Sequence, residues 1–167
     1  PWSSTAPATD PRMSQAFSSG PSPLGTDLRS AMIADADDVA RLLTDLGYPC
    51  EIEDAAERID AIAANDRQAL VLARRDGAVC GLVALDFMYY LPLGTITCRV
   101  TALVVTPTAQ GLGIGRQLLK EAERRARSGG AARIELTSGS QRTEAHAFYR
   151  ACGYKDSSVR FVKQLGA

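Results

Sequence analysis

Residues 101–119 read TALVVTPTAQGLGIGRQLL, and this junction constrains the chain more than any other segment. A β-branched run ends at Val105, Pro107 stops the strand, and Gly111, Gly113 and Gly115 lead into Leu118, Leu119, Ala122 and Ala126 at helical spacing. Such a strand-to-helix turn presents backbone N–H groups that no side chain obstructs, and the helix N-terminus adds about half a positive charge. A pyrophosphate can be held there. The residues expected to hold it are Gln110, Gly111, Leu112, Gly113, Ile114, Gly115 and Arg116, although the same glycines would also serve a plain tight turn. Two other phosphate loops fail on these residues. A nucleotide-triphosphate loop needs Gly-Lys-Ser/Thr, whereas Arg116 and Gln117 follow Gly115. A dinucleotide fold places its glycines after the first strand, whereas about four strands precede these.

The strands and helices around the junction set the fold class. Apolar residues 28–33 read as a short strand, and Asp35 is a candidate N-cap for a helix carrying Val39, Leu42, Leu43 and Leu46 up to Gly47. Ala56, Ile59 and Ala63 mark a second helix, and residues 69–73 and 79–87 form two strands joined at Asp76-Gly77. Residues 95–105 give a long strand, the glycine helix ends at Gly129-Gly130, and Ile134 with Leu136 marks the next strand. Ala145, Phe148 and Cys152 stripe a last helix closed by Gly153, and residues 159–162 read as a final strand. The order is β-α-α-β-β-β-α-β-α-β, an α/β (α+β) arrangement. Residues 1–25, rich in Ser, Pro, Thr, Ala and Gly, read as a flexible tail, leaving 26–167 as one domain. Met13 reads equally as a native start preceded by foreign sequence and as an internal methionine.

Composition removes several function classes. With 167 residues, one core suffices, and nineteen acidic against nineteen basic side chains argue against nonspecific nucleic-acid binding. Cys50, Cys80, Cys98 and Cys152 form no C-x-x-C pair, and the single His146 leaves little for a metal site, so no metal is expected. No stretch approaches the roughly 20 apolar residues of a membrane span, and the first residues lack signal-peptide order. The expected location is the cytoplasm, with reduced thiols.

The junction resembles the acetyl-CoA motif of the GCN5-related N-acetyltransferase (GNAT) superfamily, Gln/Arg-x-x-Gly-x-Gly/Ala, at Gln110, Gly113 and Gly115. A second family element is similar to Ala145-His146-Ala147-Phe148-Tyr149, continuing to Gly153-Tyr154. The chain departs at Arg142, where many members carry Asn. The resemblance implies a mixed, mostly antiparallel central sheet flanked by helices, acetyl-CoA as cofactor, and transfer of its acetyl group to an amine. It implies that Leu103, Val104 and Val105 splay from a neighbouring strand and pair with pantetheine like an added strand, and that Ala145 and Phe148 border the cofactor. A backbone N–H near Leu103 or Val104 would polarise the thioester carbonyl. A homodimer is also compatible with it.

The chemistry needs a neutral amine and a proton for the departing thiolate, whose conjugate acid has a pKa of about 8.5. In similar family members the tyrosine at the position of Tyr149 supplies that proton, and a phenol of pKa near 10 holds it at neutral pH; the alternative for Tyr149 is packing beside Phe148. Glu135, Asp86 and Glu51 all remain candidates for the general base. Cys152 sits on the apolar stripe with Phe148, which favours direct transfer over a covalent intermediate. His146 reads as structural, and Glu121–Arg125 and Glu123–Arg127 read as pairs on a solvated helix face. By resemblance, Tyr48, Asp86, Tyr89 and Tyr90 would meet the acceptor, a small-molecule amine. The alternatives are a protein or peptide N-acetyltransferase and a non-catalytic acyl-CoA sensor.

Overall fold

A computed structural model describes residues 25–166, so the expected tail and Met13 lie outside the described residues. In chain order the elements are β1 (Thr26–Ser30), α1 (Ala36–Leu46), α2 (Ile52–Ala63), β2 (Gln68–Arg75), β3 (Ala78–Tyr90), β4 (Thr95–Val105), α3 (Ile114–Ser128), β5 (Ala131–Leu136) and α4 (Thr143–Ala151). They form a five-stranded sheet in the order β1-β2-β3-β4-β5. The first four strands are antiparallel and β5 is parallel to β4, because α3 carries the chain back along the sheet between them. The β2–β3 turn is built on Asp76 and Gly77, both at positive φ (52° and 81°), the combination that matches the twist of a tight hairpin.

The alternation of apolar residues along the strands sends them to two cores. Val71, Ala73, Val83, Leu85, Cys98 and Val100 face α3 and α4, packing on Ile114, Leu118, Leu119 and Ala122. Leu70, Leu72, Leu82 and Val104 face α1 and α2, packing on Val39, Leu42, Ala55 and Ile59. Leu42, Leu72, Leu82 and Leu118 are among the fully buried side chains, and burying each contributes about 1.5–3 kcal/mol.

Two details differ from the sequence reading. Asp35 stands at the N-cap of α1 but makes no capping bond to it. Its carboxylate instead accepts the Met32 N–H at 2.8 Å and both ends of the Arg29 guanidinium at 2.8 and 2.7 Å, because the single turn at Ile33–Asp35 aims it at β1. That ion pair holds the Asp35 carboxyl below its ordinary value. The expected last strand at residues 159–162 does not form: residues 154–166 carry no regular structure. A strand exists only through a partner's hydrogen bonds, and alternation alone supplies none.

Strand lengths position the site. β4 runs 11 residues and β5 only 6, with pairing from Ile96↔Ala131 to Val100↔Leu136. Beyond Val100, β4 stays paired to β3 as far as Val105↔Gly81 but among the described residues has no strand on its other side. Arg41 of α1 fixes the far end of this half-paired stretch, donating to Val79 O at 2.9 Å and to Thr106 Oγ1 at 3.3 Å.

Candidate active site

The sheet opens where β5 turns away. From residue 101 to 105, β4 offers backbone N–H and C=O groups on an edge unpaired among the described residues, and an edge of that kind is a ready template for an added strand-like partner. Along it Leu103 and Val105 lean to the α3–α4 core while Val104 is buried under α1 and α2. Just past β5, Ser138 Oγ is shielded from solvent and has no hydrogen-bond partner. Sequence reasoning passed over Ser138; the two serines in the loop at 137–142 carry no pattern that singles it out.

The glycine loop follows β4 directly, and its three glycines do different work. Gly111 and Gly113 lie at φ 77° and 81°, and a Cβ on either would meet nothing within 4 Å, so the backbone is open to an approaching group. Gly113 is the N-cap of α3, whose first backbone N–H groups point outward with no acceptor within the helix. Gly115 is a packing glycine: a Cβ there would sit 3.2 Å from Phe148 Cζ, so its absence lets α4 close against the start of α3. Gln110 braces the loop, its Nε2 donating to Val105 O at 3.1 Å. Arg116 is exposed in the first turn of α3 and Leu112 is exposed beside it. An open strand edge, free helix-terminal N–H groups and an exposed guanidinium together fit a long amide-bearing chain that ends in phosphates.

α4 carries the second group of expected residues. Tyr149 lies against Phe148 in a tilted contact, with centroids 5.5 Å apart and ring planes at 55°, and meets Tyr154 edge-on at 6.2 Å. Its hydroxyl makes no hydrogen bond among the described residues, and burial raises its pKa above the usual phenol value, with Arg142 opposing. Tyr154 is held differently: its hydroxyl donates to Glu123 Oε1 at 3.3 Å, and burial with that carboxylate beside it raises its pKa further. His146 Nε2 bonds Gly139 O at 2.9 Å, tying the preceding loop to α4, which is a structural task. Ala145 is half-buried one turn before Tyr149.

On the opposite face of the sheet, next to the split, lies a row of charge. Arg99 of β4 donates from Nε and Nη2 to Glu135 Oε1 at 3.0 and 2.6 Å. Arg133 lies 3.0 Å from Glu135 Oε2, bonds Thr97 Oγ1 at 3.1 Å, and stacks its guanidinium 4.2 Å over the Tyr90 ring. Asp86 is opposite Arg99 in the β3–β4 register and makes no side-chain hydrogen bond or ion pair among the described residues. Alternation along β3 puts Asp86 and Tyr90 on this face and Tyr89 on the other, so the structure does not bring Tyr89 to the rest of that set. Tyr48, 67% exposed after α1, is on the α1–α2 side of the sheet, and Glu51 is exposed at the start of α2. Of the base candidates, Glu135 has both oxygens engaged by arginine, while Asp86 is unengaged. Arg99 and Arg133 were not expected; the signal was their alternate placement around Cys98 and Ile134, which a reading centred on apolar residues skips.

The remaining chemistry is inert. All four cysteines are free, and burial pushes Cys98 up to about 11 and raises Cys80 as well. Among the described residues no His, Cys, Asp and Glu cluster could hold a metal ion, and no helix is long and apolar enough to cross a membrane.

The family model described as the acetyltransferase (GNAT) family matches residues 36–154. The aminoalkylphosphonate N-acetyltransferase of Salmonella typhimurium is 39% identical over 142 residues, covering 83% of this chain and 91% of that protein. The aminoglycoside N(6')-acetyltransferase type 1 of Stenotrophomonas maltophilia is 31% identical over 134 residues, covering 78% and 86%. An aminoglycoside N-acetyltransferase solved in complex with CoA has the same fold, with a TM-score of 0.75 at 16% identity over 84% of this chain and 95% of that one.

Proposed function

We propose that this chain, which belongs to the GNAT family of acetyltransferases and takes acetyl-CoA as donor, acetylates a small primary amine that also carries an acidic group. The observation that carries the acceptor class is the row Asp86, Arg99, Glu135, Arg133 with Tyr90 beside it. Two carboxylates and two guanidinium groups balance, which suits a zwitterion rather than a polycation. Arg99 and Arg133 each keep unused donors after their bonds to Glu135, because a guanidinium has five. Those donors hold the acid of the acceptor in planar fashion, and Asp86 receives its ammonium end. A related protein named for aminoalkylphosphonates, which combine these two charges, supports the same class.

The bound donor supplies the acetyl group as a thioester. The chain's residues hold it in two places: the open edge at Leu103, Val104 and Val105 takes its amides, and Gly111, Gly113 and the first turn of α3, with Arg116, take its phosphates. Asp86, an unengaged carboxylate one register position from the last β4–β5 pair, accepts the amine proton. Tyr149 keeps its proton because burial disfavours the phenolate, and it delivers that proton to the leaving sulfur. Residues 26–167 act as one catalytic domain working in the cytoplasm.

Release of free CoA thiol tests the reading, with an aminoalkylphosphonate, amino acids, a polyamine, an aminoglycoside and a lysine peptide as acceptors. Turnover is expected with the short acidic amines, and Arg133→Ala raises the acceptor KM by about 10–150-fold, the cost of a lost charged hydrogen bond. Turnover confined to the polyamine or the peptide rejects the acceptor class. Tight CoA binding without turnover on the whole panel points to a sensor instead.

A further inference from the structure

Among the described residues three side-chain oxygens are shielded from solvent without a hydrogen-bond partner: Thr26 Oγ1, Thr95 Oγ1 and Ser138 Oγ. Thr26 lies on the edge strand β1 and Thr95 at the opposite end of β4 from the split, whereas Ser138 stands two residues past β5. Because β5 is parallel to β4 and their last pair is Val100↔Leu136, the register carried two residues further sets Ser138 opposite the inner end of the free β4 edge, at residues 101–102. Thr101 is the extra residue of a bulge against β3, and a bulge bends its strand, so β4 leaves the line of β5 where Ser138 stands. The residues on either side of Ser138 are tied. Thr137 Oγ1 accepts Arg160 Nη1 at 3.0 Å, and Gly139 O bonds the Arg142 N–H at 3.0 Å and His146 Nε2 at 2.9 Å. The backbone at Ser138 is therefore held, and a shielded hydroxyl left unbonded costs the free protein the full desolvation of that group.

We propose that Ser138 is a donor-binding residue whose hydroxyl bonds the amide of acetyl-CoA nearest the thioester. The inference rests on the placement of the donor along the open β4 edge and supplies the second side of that placement. The N–H and C=O of a trans amide point to opposite sides of an extended chain, so an arm bonded to β4 through one of them turns the other toward residues 137–142. A hydroxyl meets either, because it both donates and accepts. With the phosphates at the glycine loop beyond Val105, the arm runs inward from residue 105 to residue 101, and its thioester end arrives opposite Ser138. Leu136, two residues earlier, packs on the α3–α4 core together with Tyr149, so the bond fixes the arm at the end that must meet the phenol. Main-chain groups of β4 take any extended amide chain; the Ser138 hydroxyl adds one contact at a fixed depth, which sets how far the thioester enters.

Titration calorimetry of the full chain with CoA, and with adenosine 3',5'-bisphosphate, which lacks the arm, tests this. Ser138→Ala is expected to weaken CoA by about 3–10-fold, the loss of one hydrogen bond, and to leave the nucleotide within about two-fold, read by competition with CoA. Unchanged CoA affinity overturns the proposal, since the hydroxyl would then be satisfied by water. An equal loss for CoA and nucleotide overturns it too, because the substitution would have disturbed the site as a whole. Without ligand, Ser138→Ala is expected to melt at or above the wild-type temperature, because it removes a hydroxyl that has no bond to lose. A variant that melts lower, or fails to fold, shows that the hydroxyl is bonded within the chain and overturns the proposal. Amide hydrogen exchange of the wild-type chain with CoA separates the two levels of the argument. No added protection at residues 101–105 removes the donor placement and this inference with it; protection there, with unchanged CoA affinity in Ser138→Ala, removes the inference alone.

Discussion

Tyr149→Phe removes one oxygen from a residue whose hydroxyl makes no hydrogen bond among the described residues, while keeping the ring against Phe148 and Tyr154. Nothing in the packing is lost, so stability should stay within about 0.5 kcal/mol of wild type. On the proposed mechanism, what is lost is the proton for the leaving sulfur. A positioned general acid contributes about 10²–10⁴-fold, so kcat at neutral pH should fall by that factor, about 2.7–5.5 kcal/mol of barrier, with the KM for acetyl-CoA little changed.

The pH dependence separates this role from a structural one. The departing thiolate has a conjugate-acid pKa of about 8.5, and a phenol that still holds its proton can supply it as the C–S bond breaks. Burial raises the Tyr149 pKa above the ordinary phenol value, so the wild-type residue stays protonated at neutral and mildly alkaline pH. The ratio of wild-type to mutant rate should therefore stay large from neutral pH to about 9 and shrink only as Tyr149 itself ionises, above the phenol value near 10. Initial rates of thiol release with both substrates saturating measure it. A mutant within about three-fold of wild type at neutral pH, or a ratio that already shrinks below about pH 9, refutes Tyr149 as the donor.

Three further outcomes follow from local geometry. Gly113→Ala meets no neighbour but must hold φ 81°, so it should cost about 1–2 kcal/mol of stability and, by moving the loop, raise the KM for acetyl-CoA more than it lowers kcat; thermal melts and kinetics read the two effects. Gly129→Ala would put a Cβ 2.6 Å from Phe87 Cε1, and overpacking at the end of α3 should cost about 1–3 kcal/mol in urea unfolding without touching the donor KM. Asp35 has its folded pKa held below the unfolded value by Arg29, so its contribution is full above about pH 4 and is lost as pH falls through the folded pKa; Asp35→Asn should lower stability at neutral pH and flatten the acid limb of the stability curve.

The glycine loop was legible because backbone geometry writes itself into residue type. Positive φ at Gly111 and Gly113 and the Asp76-Gly77 turn demand residues that tolerate it, and Pro107 marks the end of β4. Gly115 was legible as a glycine but not for its reason, because its neighbour Phe148 is 33 residues away in sequence and only packing brings them together. The proposed acceptor side was less legible. Tyr89 and Tyr90 are adjacent in sequence and point to opposite faces of β3, and the ion pairs of Arg99 and Arg133 with Glu135 depend on the β4–β5 register, which no local pattern states. The strand expected at residues 159–162 has the right alternation, but a strand needs an edge to pair with, and whether one is offered is decided outside the segment.

The site itself arises from unequal strand lengths. Were β5 as long as β4, residues 101–105 would have strands on both sides, and the sheet would be closed to an amide chain. Because β5 stops at Leu136, the half-paired end of β4 lies directly before the glycine loop, so one ligand can bond to the strand edge and reach the start of α3 without a turn. The same stopping point leaves the charged row of Asp86, Arg99, Glu135 and Arg133 beside the opening but on the other face of the sheet. On the proposed reading, donor and acceptor approach the split from different sides and meet only there. That separation gives each a binding surface without displacing the other, and it favours direct transfer through a complex of both over any step that parks the acetyl group on the protein. Cys98, buried with its pKa pushed up to about 11, and Cys152, packed in the α3–α4 core, are both poorly placed to carry it.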